Sequence, residues 1–307
     1  MVKLLTVFGA TGQQGGALIE HILETPTLFA EFALRGITRD ASKTAAMALR
    51  ERGVEIVEAD LNIPSTLVGA VAGSHTVFAV TNFWESASAA VEISQGKAIA
   101  DAAVAAGANQ IIWSSLRSVK EMTGGKVTTM EHFDSKAEVE AYIRTLNIKS
   151  TFFMPGWFMQ NHLSVFRPKP ESDGTYVLSL LWGPAARLPL IDIRDTGKFL
   201  VPALLNPALY HGKRFVCATA FYSLLEMVDI WTKVTGKTVK LVQSTSASDY
   251  AGLSEEQKKE AKTTALLDEY GYYGPTGDDD LAWTIKQVNG RLRTWDEFLR
   301  DNEPWFL

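Results

Sequence analysis

An apolar run, Leu4 to Phe8, stops abruptly at Gly9, and glycines recur at positions 12, 15 and 16. Directly after them, Ala17 to Leu23 carries apolar residues at helical spacing. Strand, tight turn and helix follow one another within about two dozen residues, which fixes the start of an open α/β sheet. Gly9 lets the chain turn where a side chain would clash. Gly12 removes a Cβ where a pyrophosphate has to approach the backbone, and Gly15 lets the helix pack close to the strand. The first free N–H groups of the helix then face the phosphates, where the helix dipole favours negative charge. The pattern predicts that Gly9, Ala10, Thr11, Gly12, Gln13, Gln14 and Gly15 cradle a dinucleotide. The competing reading is a purely structural glycine turn in some other α/β protein.

The first half of the chain keeps alternating. Strands are expected at Lys3–Phe8, Phe32–Thr38, Val54–Ala59, His75–Val80, Gln110–Ser114 and Lys149–Met154. Between them lie helices at about 14–25, Ser42–Arg52 with Ser42 as cap, Ser65–Ala72, Ser86–Ala106 and Phe133–Leu146. This alternation predicts a doubly wound parallel Rossmann sheet. After Pro155 the rhythm breaks as Pro and Gly become denser. Strands at Leu188–Ile193, Arg214–Ala218 and Val239–Val242 and helices at Thr196–Leu205, Leu224–Val234 and Ser254–Tyr270 predict a smaller α+β lobe. Gly271–Asp280 reads as a loop with a solvated run of aspartates. Thr294, three residues before Glu297, reads as the cap of a closing helix. The expected division is residues 1–156 for nucleotide and 157–307 for the lobe, with about 190–220 returning to the sheet.

Of the 307 residues 46% are hydrophobic and 21% charged, enough apolar content for a full core. The net charge of −5 argues against sequence-independent nucleic-acid binding, which runs on Lys and Arg contacts to phosphates. The single cysteine, Cys217, lies in an apolar run and reads as a buried structural thiol of a reducing compartment. No apolar run reaches membrane-spanning length. The five histidines show no metal-ligand spacing, and no GxSxG elbow occurs. The expectation is a cytoplasmic protein, also nuclear in one reading, monomeric or homodimeric, without metal, membrane or direct nucleic-acid contact.

The end of the second strand selects the nucleotide. It reads Thr38-Arg39 with Lys43 one helical turn on, and no carboxylate precedes Arg39. A guanidinium fork suits a 2′-phosphate, so NADP(H) is expected over NAD(H). Asp60 and Leu61, at the end of the third strand, mark the expected adenine site. Asp60 as a simple turn residue is the alternative. Hydride chemistry in this fold usually employs Tyr-x-x-x-Lys on one helix and a serine at the end of strand five. Ser115 and Lys136 are present, but His132 stands where the tyrosine belongs. Either His132 or Lys136 supplies the proton, or a tyrosine comes from elsewhere, or no proton moves and the site only holds nucleotide.

Several of these segments together resemble the NmrA-like family, a branch of the atypical short-chain dehydrogenases and reductases. They are the Gly9 to Gly16 turn, Thr38-Arg39, Thr81-Asn82-Phe83-Trp84-Glu85, Gln95-Gly96-Lys97, His132 to Glu140 and Trp295-Asp-Glu-Phe-Leu299. The resemblance covers nearly the whole chain. It implies nucleotide binding by the turn, Arg39, Lys43, Thr81, Asn82, Phe83, Lys136 and Pro155, and by the segment holding Trp157, Gln160 and Asn161. It also implies that loss of the tyrosine accompanies loss of dehydrogenase activity in members that sense the cofactor and act on protein partners. Two departures stand out. Met154 to Asn161 is one residue longer than in the human member, and Phe83 replaces a tyrosine. Two functions follow as expectations: an NADP(H) sensor regulating a protein partner, or a reductase of a small carbonyl, enone or imine using Lys136.

Overall fold

The computed structural model describes residues 2–180, 182–243 and 267–306. Seven parallel strands form the central sheet. In chain order its first six are β1 (Lys3–Val7), β2 (Phe32–Thr38), β3 (Glu55–Glu58), β4 (Thr76–Ala79), β5 (Gln110–Ser114) and β6 (Lys149–Pro155). Two short strands, β7 (Trp157–Phe158) and β8 (Lys169–Pro170), lead to β9 (Tyr176–Leu180) and β10 (Arg187–Ile191). Then β11 (Arg214–Cys217) returns to the main sheet beside β6, before β12 (Ala220–Ser223) and β13 (Val239–Gln243). The spatial order β11-β6-β5-β4-β1-β2-β3 reverses direction between β1 and β4. That switch point is where open α/β sheets bind ligands.

Residue alternation explains the layering. Val77 and Ala79, Ile111 and Trp113, and Phe152 point to one face of the sheet. Phe78, Ile112 and Phe153, each one residue away, point to the other. Strands apolar on both sides need helices on both sides. The helices between these strands are α1 (Gln13–Glu24), α2 (Pro26–Glu31), α3 (Thr44–Glu51), α4 (Ser65–Ala70), α5 (Ala89–Ala105), α6 (Val119–Met122) and α7 (Glu131–Ile143), of which α5 and α7 cover the first face. The second is covered by α1 (Gln13–Glu24) and by the helix Thr196–Leu205, whose Phe199, Leu200 and Ala203 enter the same core.

Two three-stranded sheets, β12-β10-β7 and β13-β9-β8, build the second lobe. Its core gathers Trp231, Trp295, Phe298 and Trp305, all buried. The closing helix Trp295–Asp301 starts with a capping box from Thr294 and Glu297. Cys217 is fully buried and burial pushes its thiol up, which keeps it inert.

Three local expectations are corrected. Ser42 does not cap the second-strand helix, which starts at Thr44; its N–H and hydroxyl both donate to the Asp40 carboxylate instead. Helix α5 starts at Ala89, because Phe83–Glu85 forms its own 3-10 turn and Ser88 supplies the cap. Asp278 to Asp280 form the first turn of the helix Gly277–Gln287, where the dipole welcomes carboxylates. Asp280 also pairs with Arg117 at 2.6 Å. Of the helix expected at Ser254–Tyr270, residues 254–266 lie outside the described residues, and Leu267–Tyr270 is helical.

Candidate functional site

The glycine turn has no room for side chains. Gly9 sits at φ +65°. A Cβ on Gly15 would stand 2.4 Å from the Gly9 carbonyl oxygen, and one on Gly12 would stand 3.2 Å from the same atom. Ala10 is buried, while Thr11, Gly12 and Gln13 are exposed. Helix α1 begins after Gly12 with no side-chain cap and no acidic residue in its first turn. Its leading N–H groups are therefore uncontested by a carboxylate of their own helix, as a phosphate cradle requires. Gln14 accepts a hydrogen bond from the Ser114 hydroxyl at 2.7 Å, which ties the turn to the end of β5.

At the edge expected for the adenosine half, Arg39 and Glu85 form an exposed ion pair. Lys43, four residues after Arg39, is exposed. Asp60 accepts the Asn62 N–H at 2.9 Å, so its carboxylate shapes the turn that carries Leu61.

A cavity of about 470 Å³ opens over the ends of β4, β5 and β6. Gln14, Thr81, Asn82, Lys136 and Pro155 line its inner end. Lys136 donates to the buried Glu92 carboxylate and, at 3.3 Å, to the Thr81 hydroxyl. Glu92 accepts further hydrogen bonds from Thr81 at 2.7 Å and from Ser135. Burial pulls the Lys136 ammonium down, and Glu92 opposes that pull. Helix packing brings the pair together. A Cβ on Gly96 would meet Val139 at 2.7 Å, so α5 and α7 touch there. Glu92, one turn before Gly96, then meets Ser135 and Lys136, about one turn before Val139.

Ser115 lines the cavity, but its hydroxyl donates to the Glu140 carboxylate at 2.7 Å. Glu140 is itself clamped by Arg144 and Arg214. His132, in the first turn of α7, packs against the rings of Phe83, Trp84 and Phe133, with centroids 5.9, 5.0 and 4.7 Å away. The outer end is aromatic, with Trp157, Phe158, Phe166, Trp182 and Tyr272 in its wall. Asn161 also lines the cavity. Gln160 does not belong to that lining; its amide is spent on Asp192 and on the Ile193 N–H.

Sequence reasoning missed four participants. Glu92 and Glu140 are single carboxylates on apolar helix faces, and only helix packing reveals them. Tyr272 comes from the distant end of the chain. His162 is fully buried and pushed down to about 4 by desolvation. It accepts the Trp157 indole N–H at 3.3 Å, and its other ring nitrogen meets the Phe166 carbonyl at 3.1 Å. Among the described residues no cluster of His, Cys, Asp and Glu is placed to hold a metal, and no helix is long and apolar enough to cross a membrane.

Comparison with known proteins agrees with this geometry. The model of the NmrA-like family matches residues 1–299. The NmrA-like family domain-containing oxidoreductase cpsB of Aspergillus campestris is 34% identical over 259 residues, 78% of this chain and 75% of that protein. Among solved structures, Nmra, a negative transcriptional regulator, in complex with NADP superposes with a TM-score of 0.83 at 22% identity, covering 100% of this chain and 99% of that one. The same regulator in complex with NAD gives 0.82 at 22% identity, covering 99% and 96%. The Citrobacter triphenylmethane reductase complexed with NADP(H) gives 0.76 at 21%, covering 97% and 99%.

Proposed function

The chain belongs to the NmrA-like family, and from that premise we propose that it is an NADPH-dependent reductase of a small organic acceptor. The open aromatic cavity around Lys136 carries this reading. Its inner end suits a nicotinamide and its ribose, and its outer end leaves space for a second, apolar molecule. The glycine turn and the uncapped start of α1 would hold the pyrophosphate, Arg39 and Lys43 the 2′-phosphate, and Lys136 the nicotinamide ribose. The preference for NADP(H) over NAD(H) rests on Arg39 and Lys43, since solved relatives hold either nucleotide. When bound, the reduced nicotinamide supplies a hydride. The protein's part is to orient the acceptor and keep water from it.

A second reading, a redox sensor that acts through protein contacts, is favoured by one observation. Ser115 and Lys136 both donate to buried carboxylates. That suits a site which holds nucleotide without moving protons. NADPH titration by quenching of tryptophan fluorescence, followed by NADPH consumption with a panel of carbonyls, enones and imines, separates the readings. The reductase reading expects turnover that Lys136→Ala abolishes. NADPH binding without turnover on any acceptor class leaves the sensor.

A further inference from the structure

Lys136 and Ser115 hold the positions of the usual proton-handling groups of this fold, but both are committed. Lys136 donates to Glu92 and Thr81, and Ser115 to Glu140. Each of those carboxylates is only 1% exposed. A carbonyl that gains a hydride becomes an alkoxide and needs a proton in the same step. Among the described residues on the cavity wall, the other titratable side chains are His132 and Tyr272. Burial pushes the Tyr272 phenol up, which makes it the weaker acid.

His132 stands four residues before Lys136 on α7, on the same helix face and about 6 Å away along the axis. Both line the cavity. Lys136 belongs to its inner end, whereas Phe133, next to His132, meets Tyr272 of the outer wall, with ring centroids 5.5 Å apart. The imidazole is thereby placed between the end that suits a nicotinamide ribose and the end left for an acceptor. The rings of Phe83, Trp84 and Phe133 pack around it, so packing fixes its orientation. It is half-buried, so solvent can return a proton to it. None of the three rings titrates. Of the charged residues on the 3-10 turn Phe83–Glu85 and in the first two turns of α7, Glu85 pairs with Arg39 and Lys136 with Glu92, Asp134 accepts from Ser118, and Glu131 is exposed.

Resting on the reductase reading, we propose that His132 is the general acid of this cavity, standing in for the absent tyrosine and delivering a proton to a carbonyl oxygen as the hydride reaches its carbon. The C–H bond forms with the electron pair of the hydride, and the C=O π pair moves onto oxygen. An N–H bond of the imidazolium breaks as the O–H bond forms. The carbonyl is reduced to an alcohol with oxidation of the nicotinamide, and the neutral imidazole then takes a proton from water. Lys136, held by Glu92, keeps its charge and gives up no proton.

The test compares the full-length wild type with His132→Phe and His132→Tyr. The readouts are NADPH affinity by quenching of tryptophan fluorescence, and the single-turnover rate of NADPH oxidation by neutral aldehydes and ketones, 4-nitrobenzaldehyde among them. The wild-type rate falls as pH rises through the range in which imidazoles lose their proton, about 5–8. His132→Phe keeps a ring in the same packing, lowers the rate by about 10²–10⁴-fold, removes that pH limb and leaves the NADPH Kd within about twofold. His132→Tyr recovers at least about tenfold of the loss and holds its rate to higher pH, since a phenol titrates at about 10. A His132→Phe rate within about threefold of wild type overturns the inference, as does a pH limb that survives the substitution. So does a rate loss matched by an equal loss of NADPH affinity, which makes His132 a packing residue, or turnover confined to acceptors without a carbonyl. In those cases the reductase reading survives. Wild type that reduces no carbonyl, enone or imine overturns both.

Discussion

Replacing Glu92 by Gln tests the charge balance on which the site rests. The substitution keeps the shape and leaves hydrogen-bonding partners for Thr81 and Ser135, but strands the Lys136 ammonium. The Lys136 side chain is only 12% exposed and that of Glu92 1%. Breaking a buried pair by removing one partner costs about 3–5 kcal/mol. A separate limit comes from Lys136 giving up its proton. Against an unfolded value near 10.4, deprotonation at pH 7 costs about 4.6 kcal/mol, at 1.36 kcal/mol per pH unit. The two routes cost nearly the same, so a loss of about 3–5 kcal/mol is expected at pH 7. The sign with pH follows. In the variant the folded pKa of Lys136 falls further below the unfolded one, and in that window the unfolded chain binds more protons. Stability therefore rises with pH, and the deficit shrinks by up to about 1.36 kcal/mol per unit toward pH 9. Urea unfolding of wild type, Glu92→Gln and Glu92→Gln/Lys136→Met at pH 7, 8 and 9 measures it. The double variant should lack the pH-dependent part. A loss under about 1 kcal/mol that does not change with pH refutes the buried pair.

Three further outcomes rest on close packing and on charge. Gly15→Ala places a Cβ 2.4 Å from the Gly9 oxygen, so calorimetry should show about 1–3 kcal/mol lost, with weaker NADPH binding in titration. His162, about 4 in the folded chain and about 6.5 unfolded, makes the protein lose about 3 kcal/mol as pH falls through that window; denaturation midpoints against pH should show this slope, and His162→Asn should remove it. Arg39→Ala should weaken NADPH by about tenfold or more and NADH hardly at all, whereas Glu85→Gln, by releasing Arg39 from its ion pair, should tighten NADPH; calorimetric titration of both nucleotides checks both.

The sheet was readable because its signals are local. Short apolar runs such as Gln110 to Ser114 need no distant partner to be recognised, and Gly9, at positive φ, and Gly15, against the Gly9 carbonyl, are dictated by backbone sterics within a few residues. Boundaries failed where side chains competed for the backbone. Ser42 was drawn to Asp40, and Phe83 to Glu85 turned on themselves before Ser88 could start α5. The short strands β8 and β9 lie in a stretch rich in Pro and Gly, where periodicity carries no signal.

The site divides along the same line. Its inner half follows the order of the chain, since the ends of successive parallel strands converge on the switch point. Ser115 could therefore be named from its place at the end of β5, whereas Thr81 and Pro155 are named through the family resemblance. Its outer half depends on contacts between segments well separated in the chain. Tyr272 reaches Phe133, with ring centroids 5.5 Å apart, and Trp182 reaches Trp157 at 5.3 Å. What those rings enclose is what decides the chemistry. A lysine read as a proton donor in the sequence is, in the fold, a cation already committed to Glu92. A serine read as its partner is committed to Glu140. The missing tyrosine is thus one part of a wider pattern, in which Lys136 and Ser115 are held by buried carboxylates and much of the outer wall is aromatic.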